Sequence, residues 1–386
     1  MQKTNKIYFL AIAALILASC GSGNQQQLQT QTNKSLAKAY ENYWYTGVSV
    51  NQWETASDNN PQNKDWAVIA SNFNWVVPEN CMKSEVIHPD QNRYDFTLAD
   101  QLVEKANSAG IKVMGHCLIW HSQCAKWFHY DSNGNLVSAD TLKARMKEHI
   151  TTVMQHFKGK ICAWDVCNEC FEDDGSFRNS LFYQILGSDF IKLAFEYAHQ
   201  ADPDAELYYN DYSMNKAAKV EAVCKYFEPL IKEGLPINAI NMQGHIILED
   251  GAKNIINDYD NSIKKIAALG IKTGFSELDA SVLPNPFGFS GANISDKFAY
   301  RPEMDPYIDS LPTEKQIEVE QFWIDFYKML ITHKDVISRV NFWCLNDGNS
   351  WRNDFPIKGR KDYATLFDRQ NNPKSTVEKL IKLVEE

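Results

Sequence analysis

Two carboxylates far apart in the chain, Glu169 in WDVCNE and Glu277 in SELD, each close an apolar, branched run and each stand among other polar groups. Cleavage of a glycosidic bond with retention needs such a pair. One carboxyl must be protonated to release the leaving oxygen, and the other must stay ionised to attack the anomeric carbon. Two nearby carboxyls resist ionising together, so one pKa rises. Once the nucleophile is esterified its charge disappears, and the same acid can then act as base toward water. Strand periodicity puts Glu277 and Asp279 on one side, with His245 of QGH available from the neighbouring sixth strand. Hydrogen bonds from His245, itself oriented by Asp279, would hold Glu277 ionised. That makes Glu277 the expected nucleophile and Glu169 the expected acid/base, with Asn168 donating to the sugar 2-hydroxyl. A bare Glu at a strand end is more often a surface or ion-paired residue, so the assignment rests on the group and not on either Glu alone.

Such a group needs a scaffold that gathers strand ends. Eight β-rich runs recur from about residue 36 onward: YTGVSV at 45, FNWVVP at 73, IKVMGH at 111, ICAWDVCNE at 161, ELYYND at 206, INAINMQGH at 237, IKTGFSELD at 271 and RVNFWCLND at 339. Their apolar, branched bodies suit strands buried on both faces. Helical patterns fill the gaps. In LADQLVEKANSAG the residues Leu98, Leu102, Val103 and Ala106 form one stripe and Gly110 a left-handed stop; TLKARMKEHITTVMQHFKG is capped by Ser138 or Asp140. Eight β-then-α units predict a (β/α)8 TIM barrel, a single α/β domain whose site lies at the C-terminal strand ends. Seven of the runs end in polar or aromatic residues after apolar bodies. Residues 281–312, rich in Pro, Gly, Phe and Tyr, read as an oversized loop walling the same face.

The ordered motifs PENCMK at 78, GHCLIWHSQ at 115, WDVCNE at 164, YNDY at 209, QGH at 243, SELD at 276 and FWCLNDGNSWRNDFP at 342 resemble those of family 10 glycoside hydrolases, the endo-β-1,4-xylanases. The resemblance runs from about residue 36 to the end. It implies the same roles for Glu169 and Glu277, and no metal or cofactor. It also implies that Glu79, Asn80 and Lys83 bind the distal glycone sugar. His116, Trp120, Gln123, Asn168, Tyr209, Gln243, His245, Trp343 and Trp351 would line the sugar next to the cut. Lys and Asn offer donors to hydroxyls, and indole faces pack on pyranose rings. Trp343 and Trp351 would also exclude a hydroxymethyl group, favouring xylose over glucose in a graded way.

Cys167 and Cys170 bracket Asn168-Glu169 with the spacing of a redox or metal-binding pair. Residues three apart on an extended strand point to opposite faces, however, and redox pairs usually open a helix. They read as small packing residues. A disulfide between Cys81 and Cys117, on neighbouring strand ends, is a further expectation, given export.

Export follows from the N-terminus. Lys3 and Lys6 precede an apolar run over 7–18 that is too short to span a bilayer, ending in Leu17-Ala18-Ser19-Cys20. This resembles a bacterial lipobox, so residues 1–20 are expected to be a lipoprotein leader with Cys20 acylated, anchoring the protein to a bacterial membrane. Residues 21–35 read as a polar tether and 36–386 as the barrel. With 39 Lys+Arg against 49 Asp+Glu and no long basic run, nucleic acid is not an expected partner. Xylan and xylo-oligosaccharides are. A β-1,4-glucanase and a non-catalytic xylan-binding lipoprotein are the competing readings; the presence of both glutamates argues against the latter.

Overall fold

A computed structural model describes residues 35–56, 64–286, 289 and 297–385. The expected leader 1–20 with Cys20, and residues 21–34 of the expected tether, lie outside the described residues. Ser35 caps the first helix by accepting a hydrogen bond from the Lys38 amide.

All eight expected runs form strands: β1 (Tyr45–Val50), β2 (Trp75–Pro78), β3 (Lys112–Trp120), β4 (Ala163–Asn168), β5 (Glu206–Asp211), β6 (Ala239–Met242) with β7 (His245–Ile247), β8 (Lys272–Ser281) and β9 (Ile337–Phe342). Pairing is parallel throughout. The order β6-β5-β4-β3-β2-β1-β9-β8 closes on itself where β6 pairs with β8. This is the (β/α)8 barrel, and β7 lies outside it, paired only with the end of β8.

The sixth run therefore differs from expectation, because it breaks after Met242 and His245 sits on a separate short strand. Gly244 is the reason: it has φ +81°, and a Cβ there would fall 2.8 Å from the Phe275 ring and 2.9 Å from Leu278. Only glycine combines that backbone with that close approach. Gly115 on β3 serves packing instead, since a Cβ would stand 2.0 Å from the Trp164 ring.

Helices cover the outside. Ser138, not Asp140, caps Ala139–His156, its hydroxyl accepting from the Thr141 amide at 3.2 Å. The helix Thr97–Ser108 buries Ala99, Leu102, Val103 and Ala106, and Gly110 follows at φ +71°. Leu98 is 41% exposed, so the buried stripe begins one residue later than the sequence suggested. A fully buried leucine such as Leu102 contributes about 1.5–3 kcal/mol through burial. A large apolar layer fills the space between strands and helices, and a small second cluster that includes Trp75, Met114, Tyr208 and Trp343 plugs the barrel interior.

Both Cys167 and Cys170 belong to the outer layer. They do not point to opposite faces, because the chain leaves extended geometry at Glu169 (φ 57°) before reaching Cys170. Cys81 and Cys117 are free thiols, so the expected disulfide between them is not formed. Among the described residues no helix is long and apolar enough to cross a membrane.

Candidate active site

The strand ends enclose a cleft of about 550 Å³. Glu79, Asn80 and Lys83 arrive from the end of β2, His116 and Trp120 from β3, Asn168 and Glu169 from β4, and Glu277 from β8. Gln123, Gln243, His245, Trp343 and Trp351 join them. Gln123, Glu169 and Ser213 line this cleft with positive φ, and Cys344, also at positive φ, lies directly behind it. Such backbone costs on the order of 1–3 kcal/mol per residue and persists only where the surroundings hold it.

Glu169 is held at both oxygens. Trp120 Nε1 donates to one and Gln243 Nε2 to the other, each at 2.8 Å. Burial pushes its carboxyl above the ordinary range; those two hydrogen bonds pull the other way, while the nearby charges of Asp211 and Glu277 add to the rise. Glu277 accepts from Asn210 Nδ2 at 2.7 Å and from His245 Nε2 at 3.2 Å. Burial would raise this carboxyl too. The His245 hydrogen bond, the charges of His116 and His245 and the Asn210 amide outweigh it, and its pKa lies below the ordinary value. The two carboxyls are thus driven apart, one toward the acid form and one toward the anion.

The source of that difference is a buried ionic chain. His245 Nδ1 donates to Asp279 at 2.9 Å, and Asp279 also accepts from Trp351 Nε1 at 2.7 Å and from Arg352 Nη2 at 2.9 Å. Burial disfavours charge on His245, but Asp279 and Glu277 push its pKa up to about 9. His116 is oriented likewise, 2.9 Å from Asp165, and Arg339 stands 3.6 Å from that carboxylate in the barrel interior.

Asn168 Oδ1 accepts from Asn210 at 3.0 Å and from Gln243 at 3.4 Å. Its NH2 is thereby left for a ligand in the cleft. At the β2 end, Lys83 Nζ donates to Gln123 at 2.8 Å and Asn80 at 3.3 Å and lies over the Trp120 ring at 4.7 Å. Glu79 accepts from Ser49 at 3.0 Å.

Tyr209 is not where the sequence suggested. It is fully buried outside the barrel, against Phe171 and Phe227, its hydroxyl donating to Asp211 and accepting from the Cys170 amide. Strand alternation turns the next residue inward: Asn210, fully buried, contacts Glu277, Asn168 and Ser276 together. Asn210 and Arg352 were both missed; the signal for Asn210 was its register beside Asn168 across β4 and β5. Tyr212, Asn285, Phe289 and Phe355 extend the wall, so the described part of residues 281–312 reaches the cleft. Residues 287, 288 and 290–296 of that loop lie outside the described residues.

Comparison with known proteins follows the same lines. The family model for glycosyl hydrolase family 10 matches residues 35–383. An endo-1,4-beta-xylanase A of Xylanibacter ruminicola is 47% identical over 319 residues, which is 82% of this chain and 85% of that protein. A solved GH10 endoxylanase retrieved from a sugarcane soil metagenome superposes with a TM-score of 0.85 at 36% identity, covering 90% of this chain and 100% of the other. A mutant protein solved in complex with xylotriose superposes with a TM-score of 0.78 at 31% identity, covering 90% and 99%.

Proposed function

Because the chain belongs to glycosyl hydrolase family 10, we propose that it is an endo-1,4-β-xylanase, cleaving internal bonds of xylan by double displacement with Glu277 as nucleophile and Glu169 as acid/base. The observation that carries this reading is the opposite electrostatic bias of two carboxyls in one cleft, tied to each other through Asn168, Asn210 and Gln243.

In the first half-reaction Glu277 attacks the anomeric carbon and the proton on Glu169 passes to the leaving oxygen. Esterification removes the Glu277 charge, and with it one cause of the raised Glu169 pKa. Glu169 then accepts a proton from water, which hydrolyses the ester and restores both groups. His245, kept charged by Asp279, stabilises the Glu277 anion before attack and again as the ester breaks. The Asn168 amide meets the sugar 2-hydroxyl, a contact that strengthens in the transition state. Glu79, Asn80 and Lys83 hold the distal glycone sugar, while Trp343 and Trp351 close the space a hydroxymethyl group would occupy. Xylotriose bound by a solved relative and the xylanase activity of the Xylanibacter protein support the choice of xylan.

The test is product release from unbranched xylan and xylohexaose by the protein and its Glu169→Ala and Glu277→Ala variants, beside carboxymethyl cellulose. Short β-xylo-oligosaccharides from the parent, lost in both variants, would support the assignment. Faster action on the glucan would overturn the substrate, and retained activity in either variant would overturn the mechanism.

We also propose that residues 1–20 are a lipoprotein leader and that acylated Cys20 tethers the domain 36–386 to a bacterial membrane through 21–35. The lipobox-like Leu17-Ala18-Ser19-Cys20 supports this. Metabolic labelling with a tagged fatty acid should mark the protein but not Cys20→Ala; equal labelling of both would end the idea.

A further inference from the structure

Trp53 is 71% exposed, the most exposed large apolar side chain among the described residues, and it belongs to neither the core nor the wall of the cleft. A single exposed apolar residue needs no explanation by itself. How this one is held does. It lies on the short helix Gln52–Thr55 that follows β1 directly. Asn51 caps that helix, accepting from the Trp53 amide at 2.9 Å and the Glu54 amide at 3.3 Å, while Glu54 accepts from the Asn51 amide at 2.8 Å. The fully buried Glu54 also accepts from Asn349 Nδ2 at 2.9 Å, on the loop that carries Trp351 two residues later. At the other end Lys105 Nζ donates to the Thr55 carbonyl at 2.5 Å. The turn is thus tied down on three sides with its indole left in water.

Two hydrogen bonds join this turn to segments that carry the cleft. The Glu79 amide donates to the Val50 carbonyl at 2.9 Å, so the residue before Asn51 is bonded to a cleft residue, and Asn349 links the same turn to the Trp351 loop. Trp53 follows three residues after Val50, past the strand end that bonds Glu79 on the side assigned to the glycone. We propose that Trp53 is a stacking platform for a further pyranose residue, one unit beyond the sugar held by Glu79, Asn80 and Lys83. This rests on the reading of the cleft as a xylan site. An indole face suits the apolar C–H face of a xylose ring, and the exposed Gln52 beside it offers an amide to the hydroxyls.

The experiment compares the protein with Trp53→Ala and Trp53→Tyr. Hydrolysis is followed as kcat/KM on xylotriose and xylohexaose, and binding of xylobiose and xylohexaose is measured by calorimetry in a Glu277→Ala background. The alanine variant should lose roughly three- to tenfold in kcat/KM and in affinity on the hexaose, with the triose rate and biose affinity unchanged, and tyrosine should recover most of the loss. Equal losses on short and long substrates, or none on either, would overturn the platform. If the parent cleaves nothing, the catalytic reading fails while calorimetry still decides Trp53: weaker hexaose binding by the alanine variant upholds the platform, and equal or undetectable binding removes it.

Discussion

Asp279→Asn tests the ionic chain behind Glu277 without changing its shape. An asparagine has one oxygen where Asp279 uses two, so it can accept from Arg352 or from Trp351 and His245 but not from both sides, and the charge that holds His245 protonated is gone. His245 is raised from 6.5 to about 9, a gap worth roughly 3 kcal/mol at ~1.36 kcal/mol per pKa unit. Asp279 in turn is lowered from 3.8 to about 2 against its burial, by Arg352 first and then by His245. A loss of about 2–3 kcal/mol at the reacting carboxylate predicts kcat/KM at neutral pH lower by roughly 30- to 150-fold. The sign of the pH effect follows. In the parent His245 stays charged until pH approaches 9; in the variant burial is no longer opposed by Asp279, so the imidazole loses its proton near or below its ordinary value. Activity of the variant should therefore fall as pH rises through about 6.5 as His245 loses its charge, in addition to the alkaline limb that both proteins owe to ionisation of Glu169. Profiles of kcat/KM against pH, with the His245 ring nitrogens followed by NMR, read both effects. A variant within about threefold of the parent, with its alkaline limb unmoved, would refute the reasoning.

Asn210→Ala removes the donors to Glu277 at 2.7 Å and to Asn168 at 3.0 Å. With hydrogen bonds to charged groups worth about 1.5–3 kcal/mol, kcat should fall on the order of ten- to a hundredfold with little change in KM; steady-state kinetics showing only a KM effect would contradict this. His88 and His149 face each other through Nδ1 atoms at 3.1 Å, both buried, and desolvation lowers them to about 4 and about 3. The unfolded chain takes up these protons first as pH falls, so their contribution is full above pH 6.5 and is lost progressively toward pH 4. Urea midpoints measured across that range should slope less for His149→Phe than for the parent, and parallel slopes would count against the pair.

Much of this was legible because a parallel barrel writes itself as apolar runs with polar ends. Alternation put Glu277 and Asp279 on one side and neighbouring-strand placement supplied His245, which the structure sets in register with Asp279. What escaped were features set by one turn of backbone. Gly244 breaks the sixth strand, so His245 comes from β7, and the left-handed Glu169 turns Cys170 to the outer layer that already holds Cys167. Tyr209 and Asn210 exchanged places because a run of alternating polar and aromatic residues does not declare which face is inward until its neighbours are known. Arg352 was invisible for another reason: its partner Asp279 is distant in sequence, and nothing local marks a cation that will be buried.

The pairing of β1 with β9, Tyr45 beside Arg339, has a meaning for the order in which the molecule is made. A chain emerging from its N-terminus can lay down β1 to β6 early, but the ring cannot shut until the last strand arrives, and contacts of such long separation form slowly. Trp343, Trp351 and Arg352 come in with or after that strand. A chain truncated before β9 thus lacks both the closing seam and the wall of the cleft that Trp343, Trp351 and Arg352 supply.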